Sequence, residues 1–182
     1  MSRPWHREAP HGHPGGFEQR RDVGDNVENR RFLADLEEAF LATTYRAETD
    51  LGTVDIRIGE SSNSLETLLS ERGHSAWAFL SAANPGSIKT ADDENLRRHR
   101  QLVRQVEQAG RPVLPGMGIP DHPGWDPEPS VLVLGISMEE AVAIGREHGQ
   151  LAIVAGQAGD VAQLVPVLGG RPDEMGERGG IC

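Results

Sequence analysis

The segment Ser75-Ala-Trp-Ala-Phe-Leu-Ser-Ala82 is an uninterrupted run of apolar and small residues. Its length suits a strand, and an apolar run without polar alternation is typical of a strand that is covered on both faces. The run therefore predicts the central strand of a sheet. It leads into Asn84-Pro-Gly-Ser87, where proline and glycine favour a tight turn.

Before this run, the pattern predicts a helix, two strands and a second helix. The apolar stripe of the first helix is Phe32, Leu33, Leu36, Phe40 and Leu41. Residues 43–48 favour a strand, and the alternation of Val54, Ile56 and Ile58 predicts a half-buried strand. A short helix over Ser64 to Arg72 follows, and Gly73 is its expected stop.

After the run, a helix is expected up to about Ala109, with Thr90 as its cap and Leu96, Val103 and Val106 facing inward. The further expected elements are a short strand at Val113-Leu114, a loop from Pro115 to Pro129, a strand over Val131 to Ile136, a helix capped by Ser137 and Glu140 that ends near His148, and strands at Leu151 to Ala155 and Val161 to Leu168.

From Ser75 onward the expected order is β-α-β-β-α-β, the order of a split βαβ or ferredoxin-like unit. We therefore expect an α/β (α+β) fold, a two-layer sandwich with a mostly antiparallel sheet and extra N- and C-terminal elements. A doubly wound fold is disfavoured because the chain has too few helices to cover both faces of a sheet.

Length and composition favour one domain. The chain has 182 residues, and the expected parts are a disordered tail at 1–29, a single α/β domain over 30–168 and a second disordered tail at 169–182. No apolar run is long enough to span a bilayer, and no apolar segment follows the N-terminal charges. These features predict a cytoplasmic protein that does not bind membranes.

Charge and motifs argue against several functions. The net charge is −10, which disfavours nucleic-acid binding in spite of the basic stretch Arg97 to Arg100. Cys182 is the only cysteine, so no intramolecular disulfide or thiolate metal cluster can form, and His6, His11 and His13 lack partners at ligand spacing. Phosphate-loop, dinucleotide, zinc-protease and serine-hydrolase motifs do not occur, so no cofactor and no metal is expected.

Two candidate site segments surround the predicted turn after the central strand. The loop from Ser81 to Ser87 leaves the central strand and leads into a helix, where unpaired backbone N–H groups often meet ligands. The acidic first turn, Asp92 to Glu94, already occupies that helix end, so a neutral polar, cationic or metal-bearing ligand fits better than phosphate. Asn95 is a poor helix former, and we expect it to hydrogen-bond back to the Asn84 loop.

Two further candidate segments lie near later strands. In the first, Gly124 to Ser130, Trp125 could cover a pocket and Glu128 could act as an acid or base. In the second, His148-Gly149-Gln150, Gln150 stands between a helix stop and a strand. Each of these residues also has an ordinary structural reading as a turn, cap or core residue, and the sequence leaves both readings open.

These segments together resemble a bacterial family of domains of unknown function, DUF3293, over roughly Phe40 to Leu168. The family has no assigned activity, so the resemblance implies a domain boundary and a set of characteristic positions rather than a mechanism. Those positions correspond to Asn84, Pro85, Ser87, Glu94, Asn95, Trp125, Glu128, Ser130, Gly149 and Gln150. The sequence departs from the family at Ala83, where an aromatic residue is common, and at Leu151, where asparagine is common.

Two hypotheses of function follow. In the first, the protein binds or processes a polar metabolite, for which a nucleoside-like molecule is one option, with Glu128 as acid or base, Asn84 and Gln150 as orienting residues and Trp125 as a lid or stacking wall. Ser87, Glu94, Asn95 and Ser130 complete the predicted ligand-binding set. In the second, the domain is a non-catalytic interaction module whose arginine-rich helix docks an acidic partner. Whether the protein is an enzyme stays open, and convergence of the polar residues on one pocket would favour the first hypothesis.

Overall fold

The computed structural model describes residues 34–122 and 126–167. The chain divides into two compact units, residues 1–36 and residues 37–182, each held mainly by contacts within itself. The sheet and its packing described below belong to the second unit. The predicted tails at 1–29 and 169–182, and Trp125, lie outside the described residues. None of the helices in the described ranges combines the length and apolarity needed to span a membrane.

Single helices separate single strands or pairs of strands along the described chain, and one 3-10 turn at Pro85–Ser87 follows the third strand. The elements are α1 (34–41), β1 (Thr43–Thr49), β2 (Gly52–Ile56), α2 (Asn63–Arg72), β3 (Ala76–Ser81), α3 (Asp92–Gln108), β4 (Val113–Pro120), β5 (Glu128–Leu134), α4 (Met138–Glu147), β6 (Ala152–Gln157) and β7 (Gln163–Pro166).

The strands form one antiparallel sheet in the order β2-β1-β4-β5-β3-β6-β7. The sheet curls, because Ile58 after β2 forms a parallel bridge with Ala162 before β7. Gly59 donates its backbone N–H to the carbonyl of Ala162 at 2.8 Å. The α/β class and the antiparallel sheet are thereby confirmed, and β3 holds the interior position that its apolar run predicts.

The two faces of the sheet carry separate apolar clusters, because side chains alternate along each strand. Trp77 and Phe79 of β3 point to one face, which we call the α2 face because α2 packs on it. Ala78 and Leu80 point to the other face, which α3 and α4 cover. The helices α3 and α4 form a layer on one face of the sheet. The opposite face is also covered, by α2 and by the curl of the sheet.

The predicted loop from Pro115 to Pro129 is wrong over its first half, since β4 continues to Pro120. Proline is tolerated at position 115 because β1 pairs with β4 only from Gly116 onward, so Pro115 has a single strand neighbour. Gly116 is needed there because a Cβ atom would lie 2.6 Å from Cζ of Phe79. The Gly/Pro composition therefore reflects packing in a strand and not a loop.

The start of α3 also differs from the prediction. Ala91 is the N-cap and makes no side-chain cap bond, whereas the Thr90 hydroxyl donates to the carbonyl of Ile88 at 3.0 Å. Leu96, predicted to face inward, is 44% exposed, and Asn95 takes the buried position. By contrast, the Ser137 cap of α4 and the left-handed stops at Gly73 and Gly149 are confirmed.

Candidate functional site

The loop after β3, residues 82–90, which we call the Asn84 loop, turns sharply. Asn84 has φ 47° and ψ 58°, and Ser87 has φ 60°, so both adopt the left-handed conformation that residues with a Cβ atom seldom occupy. Asparagine tolerates this conformation better than most residues. The turn carries the Asn84 side chain back toward the start of α3 and the start of β5.

Asn84 and Asn95 bind each other through both side-chain and backbone groups. The Asn95 Oδ1 atom accepts the backbone N–H of Asn84 at 3.0 Å, and Asn95 Nδ2 donates to Asn84 Oδ1 at 3.0 Å. Asn95 Nδ2 also donates to the carbonyl of Thr90 at 3.2 Å, and the Thr90 N–H donates to Asn84 Oδ1 at 2.9 Å. Because each amide end has a matching partner, the orientation of both side chains is fixed. The expected bond from Asn95 to the Asn84 loop is present.

Glu128, the first residue of β5, receives the remaining end of this network. Asn84 Nδ2 donates to Glu128 Oε1 at 2.5 Å. Burial raises the pKa of the Glu128 carboxyl above its ordinary value, and the hydrogen bond from Asn84 opposes that rise. The result is a half-buried carboxylate with one oxygen held and its second oxygen without a hydrogen-bond partner among the described residues.

A cleft of about 510 Å³ opens beside this pair. Its lining combines the Asn84 loop, the start of α3 and the segment leading into β5: Ala83, Asn84, Lys89, Thr90, Asp92, Asn95, Leu96, Asp126, Pro127, Glu128 and Pro129. Lys89 Nζ and Asp126 Oδ2 form an exposed ion pair at 2.8 Å. Asp92, Asp126 and Glu128 place three carboxylates against the one ammonium of Lys89, so the lining of the cleft is acidic.

The Asn84 loop is held from its other side by residues that do not line the cleft. Gln150 Nε2 donates to the carbonyl of Ala83 at 2.9 Å. Arg98 donates to the carbonyls of Ala82 at 2.8 Å and His148 at 2.6 Å, and so joins α3 to the loop and to the end of α4. Gln150 therefore supports the loop, in a place where a direct ligand contact was predicted. Arg98 was missed because an arginine within a basic helix reads as solvent-exposed.

Gly149 is required by both conformation and space, so Gly149→Ala is expected to destabilise the fold by about 2–3 kcal/mol. Its φ is +73°, and a Cβ atom would lie 2.9 Å from Cβ of Pro85 in the Asn84 loop. Gly73 provides a matched control, since its φ is +67° and a Cβ atom added there would have no neighbour within 4 Å. Urea unfolding should show a larger loss for Gly149→Ala than for Gly73→Ala. Equal losses would contradict a steric role for Pro85.

The other predicted ligand-binding residues lie elsewhere or outside the described ranges. Ser87 is exposed and Glu94 forms an ion pair with Arg97 at 2.6 Å, and neither is among the residues that line the cleft. Ser130 is buried and donates its hydroxyl to the carbonyl of Glu128 at 3.0 Å. Within the described ranges, no group of three or more metal-ligating side chains comes together. The chemical roles assigned to these residues stay predictions.

Comparison with known proteins adds one finding. Residues 80–153 match the family described as "Protein of unknown function (DUF3293)". The resemblance stated from the sequence is thereby confirmed over a segment that runs from the end of β3 to the start of β6. No curated protein and no solved structure gives a significant match to the chain. The matched segment contains the paired side chains of Asn84, Asn95 and Glu128, together with Gly149 and Gln150 behind the loop.

Proposed function

We propose that the protein binds a small polar molecule in the cleft between the Asn84 loop, the start of α3 and the start of β5. The observation that carries this proposal is the half-buried Glu128 carboxylate, which lines the cleft with one oxygen held by Asn84. A carboxylate in such a place costs stability, because desolvation disfavours the charged form. Perturbed carboxylates in clefts are typical of functional sites.

Glu128 has two chemical uses in this position. As a carboxylate it accepts a hydrogen bond from a ligand N–H or O–H group. Because burial raises its pKa, it also keeps a proton to higher pH than an exposed carboxyl does, which suits an acid or base role. The acidic lining disfavours ligands with a phosphate or carboxylate at this end of the cleft. The supported ligand class is therefore neutral polar or cationic.

Replacing Glu128 with the uncharged glutamine should affect stability and ligand binding in opposite directions. The raised pKa means that the folded chain holds the Glu128 proton more tightly than the unfolded chain does. The protonated Glu128 side chain therefore favours the folded state. This contribution to the free energy of unfolding is complete below the ordinary carboxyl pKa and is lost as the pH rises through the folded-state pKa. At pH 7 we expect Glu128→Gln to raise the free energy of unfolding by about 0.5–1 kcal/mol, the scale of a single stabilising substitution.

The same variant should lose ligand binding. A thermal-shift screen of the full chain against nucleobases, nucleosides, amides, amino acids and amines would identify ligands. A ligand present at about 100 times its Kd raises the free energy of unfolding by about 2.7 kcal/mol, which shifts the melting temperature measurably. Glu107→Gln, on the exposed side of α3, is the matched control and should bind as the parent does. A hit that survives Glu128→Gln unchanged would contradict the proposal.

A second candidate function is an interaction module for an acidic partner. Arg100 and Arg104 lie one helical turn apart on α3, are exposed, and have no ion pair within the described ranges. This alternative places the determinants on α3 and not in the cleft. Binding of a partner that is abolished by Arg100→Glu and unaffected by Glu128→Gln would favour it.

We also propose a classification for the fold. β3-α3-β4 and β5-α4-β6 each join two parallel strands with a third strand between them, which is the split βαβ arrangement. This supports a ferredoxin-like core, with α1, β1, β2, α2 and β7 as additions. As part of the proposed function, we also propose that the protein is cytoplasmic and binds neither nucleic acid nor membranes.

A further inference from the structure

We propose that the Asn84–Glu128 pair binds an amide-type edge, an N–H group beside a C=O group, and that Asn95 is the positioning residue that keeps the pair ready for it. This inference rests on the proposed function, because it names the ligand class of the same cleft. It follows from counting which hydrogen-bonding positions of the pair are already used.

The amide of Asn84 has two N–H donors and two acceptor positions on Oδ1. Both acceptor positions are filled, by the Thr90 N–H and by Asn95 Nδ2. One N–H is bound to Glu128 Oε1. The amide can therefore offer a ligand one N–H and no acceptor.

Glu128 supplies the complementary position. Its Oε1 atom is occupied by Asn84, and Oε2 has no hydrogen-bond partner among the described residues. The pair thus offers one donor and one acceptor on two directly bonded side chains, both of which line the cleft. A ligand edge with N–H beside C=O satisfies both, as in a nucleobase lactam or a carboxamide. An ammonium group satisfies the acceptor and leaves the Asn84 N–H without a partner.

Asn95 makes this pattern possible without contact to the ligand edge. Asn95 Nδ2 and the Thr90 N–H both donate to Asn84 Oδ1, so the oxygen end of the Asn84 amide is held away from Glu128 and the Nδ2 end faces the carboxylate. Asn95 cannot itself rotate, because Oδ1 accepts the backbone N–H of Asn84 and Nδ2 donates to the carbonyl of Thr90. The donor–acceptor order of the pair is therefore set by Asn95 of α3 together with the Thr90 N–H.

The test uses fragments with and without the N–H group on the ¹⁵N-labelled full chain. Uracil is compared with 1,3-dimethyluracil, and acetamide with N,N-dimethylacetamide, while methylammonium represents the amines. The Asn84 side-chain NH₂ resonances report binding at the pair. We expect uracil or acetamide to shift them and each methylated analogue to bind about tenfold more weakly or worse. A response to uracil alone would indicate a nucleobase ligand, and a response to acetamide alone would indicate an open-chain amide.

The outcomes separate this inference from the proposed function. Equal binding of the methylated analogues, or a response to methylammonium alone, would overturn the amide-edge inference and leave the cleft as a binding site. No response of any cleft resonance to any probe would overturn both.

The positioning role of Asn95 has its own variant. Asn95→Asp keeps the acceptor for the Asn84 N–H but places a carboxylate oxygen against Asn84 Oδ1, where Nδ2 now donates. The two oxygens repel, which favours rotation of the Asn84 amide, so the variant should abolish the preference for the unmethylated fragment. Asn63→Asp, at the exposed first turn of α2, should leave that preference unchanged. A merely structural role for Asn95 would lower stability without changing the preference, and a preserved preference in a folded Asn95→Asp chain would overturn the assignment.

Discussion

Truncating Phe79 to alanine is expected to lower the free energy of unfolding by about 3–5 kcal/mol. Phe79 is 4% exposed at the middle of β3. Its ring meets Tyr45 edge to face with a centroid distance of 5.4 Å and an interplanar angle of 68°. Because β4 passes under the ring at Gly116, the neighbouring backbone already lies close and has little room to move into the cavity.

Urea unfolding followed by circular dichroism measures this loss. Leu51→Ala is the control, since Leu51 is 54% exposed in the β1–β2 connection and its truncation should change stability by no more than about 0.5 kcal/mol. The packing argument would fail if Phe79→Ala cost no more than Leu51→Ala. An intermediate loss for Phe79→Leu is expected because most of the apolar volume is kept.

The interior position of β3 in the sheet could be predicted, because a strand buried on both faces has an uninterrupted apolar sequence. The apolar run from Ser75 to Ala82 requires cover on both sides, and the structure provides it. The extent of β4 could not be predicted in the same way. Gly116 and Pro115 are strand breakers by propensity, and only the Phe79 ring and the late start of the β1 pairing explain their presence.

The site was partly predictable for a similar reason. Asn95 on a helix and Asn84 at a turn are each locally unfavourable or unusual, and the structure joins them by hydrogen bonds. Leu96, next to Asn95, was misplaced because a helical stripe read from apolar residues cannot reveal that an asparagine holds the buried position. Arg98 gave no signal at all, since its partners are backbone carbonyls that any sequence possesses.

Replacing Asn95 with alanine is the second substitution with a large expected effect, a loss of about 3–4 kcal/mol in the free energy of unfolding. Alanine is the better helix former, so an exposed position in the same helix would gain stability from the change. Asn95 is 9% exposed, and its removal takes partners from the Asn84 N–H and the Thr90 carbonyl. The partly buried Asn84 N–H and Thr90 carbonyl, left without these partners, outweigh the gain in helix propensity.

The matched control for this variant is Asn63→Ala, which changes an exposed asparagine in the first turn of α2. We expect it to be neutral within about 0.5 kcal/mol. In the Asn95→Ala chain, the hydrogen bond from Asn84 to Glu128 should also weaken, because Asn84 Oδ1 loses one of its two donors and keeps only the Thr90 N–H. Since that bond opposes the effect of burial, the pKa of Glu128 should rise further above its ordinary value than in the parent. A carbon-detected NMR titration of the Glu128 carboxyl measures this, and an unchanged titration in a destabilised chain would show that Asn95 supports the fold without acting on Glu128.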